Sequence, residues 1–313
     1  MAKTQQKSSV IANFCALNRY QVGQTLIFQP FHGTRKHRRL CCKIATKPLK
    51  RSISDIALTI AGSDSGGGAG IQADLRTFAA FRVHGVCAIT AVTAQNTRQV
   101  TAIHAVPHAT LRAQLDAVLT DFRVGAIKIG MLATPGLARE VAAVLARHPR
   151  IPVILDPVLI ATTGAHLAKV DLAAALLKHL LARADLLTPN IPEAERLLAC
   201  TIKTTADMRS AAAALLARGA HAVLLKGGHR AGNEISDLLL TQHGEHWFHQ
   251  RRIRGESHGT GCSLSSAIAA GIAHGNSLEI AVEEAIGFVH EALRAGYRPG
   301  KGALRVLDHL AAR

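Results

Sequence analysis

The sequence predicts an α/β fold in which helices cover both faces of a mostly parallel central sheet, as three αβα layers. The first observation is that short, continuous apolar runs alternate with helical stretches along residues 55–313. Such runs are typical of strands that are buried on both faces, as in parallel sheets. The second observation is that 48% of the 313 residues are hydrophobic, which is enough to bury a large core.

The alternation begins with an apolar run at 57–60, a glycine-rich stretch at 61–70 and a helical pattern at 71–81. This order predicts a strand, a loop and a helix. A polar alternation at 235–241 and 245–253 predicts a strand pair. Further strands are predicted at 86–93, 126–130, 153–156, 186–188 and 222–226, and further helices at 111–122, 137–147, 171–183, 193–198 and 206–218. We expect one domain over residues 55–313.

Residues 1–54 differ from the rest in charge. They hold 11 of the 37 Lys and Arg residues and no Asp or Glu. A segment of one charge sign without periodicity predicts a disordered, basic leader. An organelle transit peptide, a basic tail and translated sequence upstream of the true start all agree with this composition, and the sequence leaves them open.

The charge distribution excludes some function classes. The formal net charge is +16, but residues 55–313 hold 26 basic and 21 acidic residues, so most of the excess positive charge lies in the leader. Since aromatic residues make up only 4% of the chain, few can stack on bases, and no nucleic-acid partner is expected. No run approaches about 18 consecutive apolar residues, so no membrane span is expected. The six cysteines form no CxxC pair, which favours reduced thiols and a cytoplasmic location, or an organelle if the leader is a transit peptide.

The glycine-rich loop at 61–70 fits neither of two common nucleotide-binding patterns completely. The segment 68–73 matches the looser dinucleotide fingerprint G-x-G-x-x-A, but after Asp74 no acidic residue follows until Asp116. The loop also lacks the Gly-Lys-Ser/Thr ending of a P-loop. A dinucleotide oxidoreductase is therefore the least favoured function, and the loop is interpreted as a ligand-binding surface at a strand end.

A second glycine-rich stretch, 254–266, leads into an alanine-rich helical run. The first turn of a helix has unpaired N–H groups and a positive dipole end, so an anion fits there without a charged side chain. Gly259 and Gly261 let the backbone approach that anion closely. The pattern predicts a phosphate-binding helix start, and an ordinary capped turn produces the same pattern.

Four polar residues stand near predicted strand ends. Asp156 ends a buried strand, where an unpaired carboxylate is costly, and this favours a site residue. Lys226 ends another strand. Asn190 and Glu193 are three residues apart at a helix start and share one face, which also fits a capping box.

Several motifs together resemble one family. They are 61–64 with 67–75, 94–97, 128–132, 188–190 with 193–194, 226–229, and 258–262. In order and spacing they are similar to the hydroxymethylpyrimidine/phosphomethylpyrimidine kinases of thiamine biosynthesis, which have a ribokinase-like fold. The resemblance implies an ATP- and Mg²⁺-dependent kinase, in the form of a homodimer, that phosphorylates 4-amino-5-hydroxymethyl-2-methylpyrimidine and then its monophosphate to the diphosphate.

The resemblance also implies roles for residues. The amides of Gly259, Thr260 and Gly261 form an anion hole for the transferring phosphoryl group. Cys262 is the expected base, because a thiol at a helix start has a lowered pKa, although a free cysteine also packs as a small hydrophobe. His258 is interpreted as structural.

For the pyrimidine, the resemblance assigns Gln95 to the ring, because its amide matches a ring nitrogen beside an exocyclic amine. A strand-end Gln that satisfies backbone groups is the alternative. Asp74 is expected near the same pocket; otherwise it is a solvated acid of an early helical turn. The remaining substrate residues are Gly62, Ala69, Met131 and Val158.

For the nucleotide, the resemblance assigns Asn190, Glu193, Lys226 and Asp156, with Asp156 and Glu193 also as magnesium ligands. Two other functions stay open. One is a pyridoxal kinase of the same fold, and the other is a non-catalytic ligand sensor, which the intact anion-hole motif disfavours.

Overall fold

A nine-stranded sheet forms the centre of the protein. The structure is a computed structural model that describes residues 55–159 and 171–312. The strand order is β3-β2-β1-β4-β5-β6-β7-β8-β9, and all pairs from β2 to β7 are parallel, while β3, β8 and β9 are antiparallel to their neighbours. The strands are β1 (Ile56–Asp64), β2 (His84–Gln95), β3 (Val100–Ala105), β4 (Ala126–Ile129), β5 (Val153–Leu155), β6 (Leu186–Leu187), β7 (Ala222–Leu225), β8 (Glu234–Thr241) and β9 (Gly244–Arg251).

Helices cover both faces of this sheet, as predicted. On one face, α2 to α6 pack against a core that includes Leu58, Ile127 and Val223. On the other face, α1, α7 and α8 pack against Ala57, Ile154 and Leu224. The three-layer fold is confirmed. The helices are α1 (Gly70–Ala80), α2 (His108–Asp121), α3 (Pro135–Leu145), α4 (Leu172–His179), α5 (Ile191–Leu198), α6 (Thr205–Ala217), α7 (Thr260–Ala273) and α8 (Leu278–Arg294).

The predicted element positions agree with these bounds to within a few residues, with three differences. The helix α8 was not predicted. The strand β3 was not predicted, because four of its six residues are exposed and it lies at the sheet edge. The predicted helix 171–183 is α4 followed by a separate 3-10 turn at Leu181–Arg183.

A small second sheet lies beside the start of α7. Its strands β10 (Ser257–His258) and β11 (Arg305–Val306) are parallel, so the C-terminal segment pairs with the residues just before Gly259. The predicted leader, residues 1–54, lies outside the described residues. Within the described part of the chain, no helix is long and apolar enough to cross a membrane.

Candidate active site

A cavity of about 770 Å³ opens at the carboxyl ends of the central parallel strands. Ligands bind at this edge in open α/β sheets. Of the predicted site residues, all but Asp74 line the cavity. These residues are Gly62, Ala69, Gln95, Met131, Asp156, Val158, Asn190, Glu193, Lys226, Gly259, Thr260, Gly261 and Cys262.

The predicted phosphate-binding helix start has the expected geometry. Gly259 is the N-cap of α7 in the left-handed conformation, with φ of 85°, and a Cβ there would collide with the carbonyl oxygen of Gly68. Only glycine fits this position. Thr260, Gly261 and Cys262 form the first turn, whose N–H groups have no partner within the helix. The turn therefore offers several backbone donors to the cavity.

The pKa of the Cys262 thiol differs from the predicted one. Burial raises its pKa to about 11, and the charges of Asp74 and Asp156 add to this, although Lys128 acts in the opposite direction. The expected lowering of this pKa is therefore wrong for the ligand-free site, since loss of water around a thiolate outweighs its stabilisation by Lys128 and by the backbone of Gly70. Cys262 is a neutral thiol at neutral pH in this arrangement.

Three charged groups meet opposite the first turn of α7. The Nζ atom of Lys226 lies 3.0 Å from Oδ1 of Asp156 and 4.0 Å from Oε2 of Glu193. Burial raises the pKa of Glu193 to about 7, and Asp156 adds to this, while Lys226 lowers it. The pKa of Lys226 is raised because the two carboxylates outweigh the burial of its ammonium group. Such a cluster is suited to bind phosphate and a cation together.

Glycine keeps the space beside this cluster open. A Cβ on Gly261 would lie 3.3 Å from Nζ of Lys226 and 3.7 Å from Oδ2 of Asp156. The anion-hole backbone and the charged cluster therefore face the same small volume. Oxygen ligands and a lysine beside unpaired amides fit the phosphates of a nucleotide with Mg²⁺.

Asn190 and Glu193 form a capping box at the start of α5. Oδ1 of Asn190 accepts from the amide of Glu193 at 2.9 Å, and Oε2 of Glu193 accepts from the amide of Asn190 at 2.8 Å. The capping-box alternative is thus confirmed, and both residues line the cavity as well. In the described residues, no three His, Cys, Asp or Glu side chains form a cluster that could hold a metal by themselves.

Asp74 does not line the cavity, in contrast to the prediction. Its side chain is fully buried beneath the cavity, where Nζ of Lys128 lies 2.8 Å from each carboxylate oxygen. Thr59 donates to it at 2.6 Å and Ser266 at 2.7 Å. Because α1 packs on the sheet at this turn, Asp74 points into the core and contacts neither solvent nor the cavity. The predictions of a substrate contact and of a solvated acid are both wrong.

The cavity wall near β2 carries two residues, Asp64 and His258, to which the sequence assigned no ligand contact. His258 is buried, and its Nε2 lies 3.1 Å from Oδ2 of Asp64 and 2.6 Å from Nε2 of Gln95. Asp64 also accepts backbone N–H groups of the glycine-rich loop, from Gly66, Gly68 and Ala69. The sequence analysis interpreted His258, the first residue of the motif 258–262, as structural. A sequence signal for Asp64 existed, because polar residues at strand ends favour a site and Asp64 ends the first strand.

Apolar residues form the opposite wall. Met131 packs with Ala91 and Ala133, and Val158 lies against this cluster. A Cβ on Gly62 would lie 3.1 Å from Sδ of Met131, so a larger residue at position 62 would narrow the cavity beside this wall. This apolar wall lines the same cavity as the polar amide of Gln95, and the combination suits a heteroaromatic ring.

Comparison with known proteins places this site in a family. The family model described as phosphomethylpyrimidine kinase matches residues 64–307, which include every residue of the site described above except Gly62. The chain belongs to this family. It is therefore a kinase, and the resemblance found in the sequence is confirmed.

Individual proteins of this family and of the same fold are similar to the chain. A hydroxymethylpyrimidine/phosphomethylpyrimidine kinase from Rhizobium meliloti is 47% identical over 245 residues, which cover 78% of this chain and 92% of that protein. The phosphomethylpyrimidine kinase of Clostridium difficile has a TM-score of 0.69 and 37% identity, with 76% of this chain and 99% of that one covered. The pyridoxal kinase of Staphylococcus aureus, in complex with AMP-PCP and pyridoxal, has a TM-score of 0.75 and 30% identity, with 82% and 94% covered.

Proposed function

We propose that the cavity holds ATP and 4-amino-5-hydroxymethyl-2-methylpyrimidine together, and that it transfers the terminal phosphoryl group first to the hydroxymethyl oxygen and then to the resulting monophosphate. One observation carries this proposal. The first turn of α7, the Lys226–Asp156 pair and the amide of Gln95 line a single cavity, so a phosphate donor and a flat acceptor can meet at one point.

The backbone of α7 supplies the main catalytic contribution. Phosphoryl transfer passes through a loose transition state that needs positioning and charge stabilisation more than covalent help. The N–H groups of Gly259, Thr260 and Gly261 stabilise the negative charge on the transferring group, as an anion hole does. Lys226 adds a fixed positive charge next to the same volume.

Asp156 and Glu193 are the residues that would hold Mg²⁺, with Asn190 beside them. Their oxygen atoms are the ligands that this ion prefers, and the ion supplies charge neutralisation for the nucleotide phosphates. Because Lys226 is paired with Asp156 in the free protein, nucleotide phosphates compete for the lysine and release the carboxylate.

The acceptor lies between Gln95 and the apolar wall. Met131 and Val158 contact the ring face, and Gly62 and Ala69 leave room at its edge. Since Cys262 is protonated in the free protein, it orients the acceptor hydroxyl rather than removing its proton beforehand. A loose transition state makes little demand on a base.

The discriminating experiment measures ATP-dependent ADP release with Mg²⁺ and four acceptors offered separately. These are hydroxymethylpyrimidine, its monophosphate, pyridoxal and ribose. We expect turnover of the first two. Turnover of pyridoxal alone would replace the proposal with a pyridoxal kinase, and no turnover of any acceptor would favour a ligand sensor.

A further inference from the structure

The Gln95 amide is held between two side chains whose hydrogen bonds determine which way it faces. On one side, its Nε2 lies 2.6 Å from Nε2 of His258. On the other side, its Oε1 lies 3.4 Å from the hydroxyl oxygen of Thr93. His258 is also 3.1 Å from Oδ2 of Asp64. The protonation of Asp64 therefore decides the hydrogen positions of the whole group.

Asp64 is an ionised acceptor. Its two oxygens accept backbone N–H groups from Gly66 at 2.7 Å, Gly68 at 3.0 Å and Ala69 at 2.9 Å. Burial raises the pKa of this carboxyl, but the hydrogen bonds from His258 and from the amides of Ala69 and Gly66 outweigh burial, and the pKa is lowered. A carboxylate has no proton to donate. The proton of the Asp64–His258 contact therefore sits on Nε2 of His258.

A protonated Nε2 is a donor, and it meets the amino end of Gln95, which is also a donor. A second conflict exists at the other end of the amide. The single hydroxyl proton of Thr93 is required both by the carbonyl of Ser63, at 3.1 Å, and by Oε1 of Gln95. A turn of 180° about the last side-chain bond exchanges oxygen and nitrogen at almost unchanged shape. This turn places an acceptor instead of a donor opposite Nε2–H of His258, and it leaves the hydroxyl proton of Thr93 to the carbonyl of Ser63.

We propose that His258 is a specificity-determining residue, which holds the Gln95 amide with its oxygen toward Nε2–H and its amino group toward Thr93. In this orientation His258 donates to Gln95, Gln95 donates to Thr93, and Thr93 donates to Ser63. The single Nε2–H of His258 is then shared between two acceptors, Oδ2 of Asp64 at 3.1 Å and the Gln95 oxygen at 2.6 Å, and no donor faces another donor.

The rigidity of the imidazole supports this role. A Cβ on Gly68 would lie 2.7 Å from Cδ2 of His258 and 3.0 Å from Cγ1 of Val306, so the ring is packed closely against the glycine-rich loop. The pairing of β10 with β11 fixes its backbone. A ring held on both sides is able to impose an orientation on a longer, more flexible glutamine side chain.

The orientation defines how the substrate lies, and this step rests on the proposed function. The amide presents an acceptor beside His258 and a donor beside Thr93. In the proposed pyrimidine, the exocyclic amine is on the carbon next to the one that carries the hydroxymethyl group. The amine pairs with the oxygen of Gln95, and the ring nitrogen pairs with its amino group. Since Gly259 directly follows His258, this register places the hydroxymethyl group on the anion-hole side.

The same orientation discriminates against pyridoxal. There, the carbon next to the hydroxymethyl group carries an aldehyde, whose oxygen is an acceptor and would face the oxygen of Gln95. Two acceptors cannot share a proton that neither has, and a buried unpaired acceptor costs about 1–3 kcal/mol. A free amide could turn to accommodate the aldehyde, whereas an amide held by His258 cannot.

The test compares His258→Leu, which removes the donor, with His258→Gln, whose amide nitrogen can replace Nε2–H. Calorimetry measures the Kd of hydroxymethylpyrimidine and of AMP-PCP, and kinetics give kcat/KM for hydroxymethylpyrimidine and pyridoxal. We expect His258→Leu to weaken pyrimidine binding about tenfold, to lower the pyrimidine-to-pyridoxal ratio of kcat/KM, and to leave the Kd of AMP-PCP unchanged. His258→Gln should recover most of the ratio.

Three results would overturn the inference. They are an unchanged substrate ratio in His258→Leu, a His258→Gln variant as impaired as His258→Leu, and equal loss of AMP-PCP and pyrimidine binding. In the unmodified protein, ¹⁵N spectra of the histidine side chains should show a proton on Nε2 of His258, and its absence would also refute the inference. If the unmodified protein does not phosphorylate hydroxymethylpyrimidine at all, the proposed function fails, and the ¹⁵N result still tests the proposed proton position.

Discussion

The Nζ atom of Lys128 lies 2.8 Å from both carboxylate oxygens of Asp74, and neither side chain is exposed. This pair joins β4 to α1, and Ser266 extends it to α7. Burial opposes the ammonium form of Lys128, but the charge of Asp74 outweighs it and raises the pKa of Lys128. The pair thus holds together the sheet and the two helices whose first turns border the cavity.

Loss of one partner should therefore destabilise the protein strongly. We expect Lys128→Met to lower the free energy of unfolding by about 3–5 kcal/mol, because it leaves a buried carboxylate without its cation. The double variant Lys128→Met/Asp74→Leu should lose less. Urea unfolding gives these values. As a control, Arg147→Met breaks an exposed pair with Asp116, in which the side chains are 51% and 43% exposed, and should cost less than about 1 kcal/mol. Equal effects of the two single variants would contradict the prediction.

Gln95→Ala should weaken the binding of the pyrimidine and leave the binding of the nucleotide unchanged. The substitution removes the polar edge that faces the ring, but the hydrogen bonds of the Gln95 side chain go to Thr93 and His258 and not to the Lys226–Asp156 pair. We expect pyrimidine binding to weaken by about tenfold to a hundredfold, as expected for loss of a paired hydrogen-bonding group, while AMP-PCP binding is unchanged. Calorimetry with each ligand measures both. If both affinities fall together, Gln95 has a structural role instead.

Gly261→Ala should reduce catalysis without unfolding the protein. Its Cβ would lie 3.3 Å from Nζ of Lys226, in the volume assigned to phosphate, and the position has no positive φ that alanine cannot adopt. We expect kcat to fall by about a hundredfold, with little change in Tm. The matched control is Gly287→Ala on α8, where a Cβ meets nothing within 4 Å. Full activity in Gly261→Ala would remove the anion hole from the proposed mechanism.

The thiol of Cys262 should react slowly with alkylating reagents. Since burial raises its pKa to about 11, the thiolate is scarce at pH 8. Cys200 is exposed and serves as an internal reference in the same chain. We expect iodoacetamide at pH 8 to modify Cys200 much faster than Cys262, as measured by peptide mass spectrometry over time. A faster reaction at Cys262 would show a lowered pKa and restore the thiolate base.

Acid should destabilise the C-terminal segment through His309. Its Nε2 lies 2.9 Å from Oγ of Ser263, and burial, with a contribution from Arg76, lowers its pKa to about 4. The unfolded chain then binds a proton that the folded chain does not, between about pH 6.5 and pH 4, so stability falls as the pH falls through this range. The loss should reach about 3 kcal/mol at most.

The measurement for His309 is the free energy of unfolding at several pH values in this window. His309→Gln keeps a polar group beside Ser263 but cannot take up the proton. The variant should therefore show a shallower pH dependence than the unmodified protein, while the other histidines contribute equally to both. Parallel curves for the two proteins would show that His309 titrates normally.

The sequence by itself determined the layered α/β fold and the glycine-rich helix start, because apolar periodicity and glycine at 259 and 261 are visible in short segments. The resemblance of its motifs to a family indicated most residues of the cavity wall. The direction of Asp74, the raised pKa of Cys262 and the contact of His258 with Gln95 depended on the tertiary structure. Each of them joins residues far apart in the chain, and burial and charge at such meeting points arise only when the helices pack on the sheet.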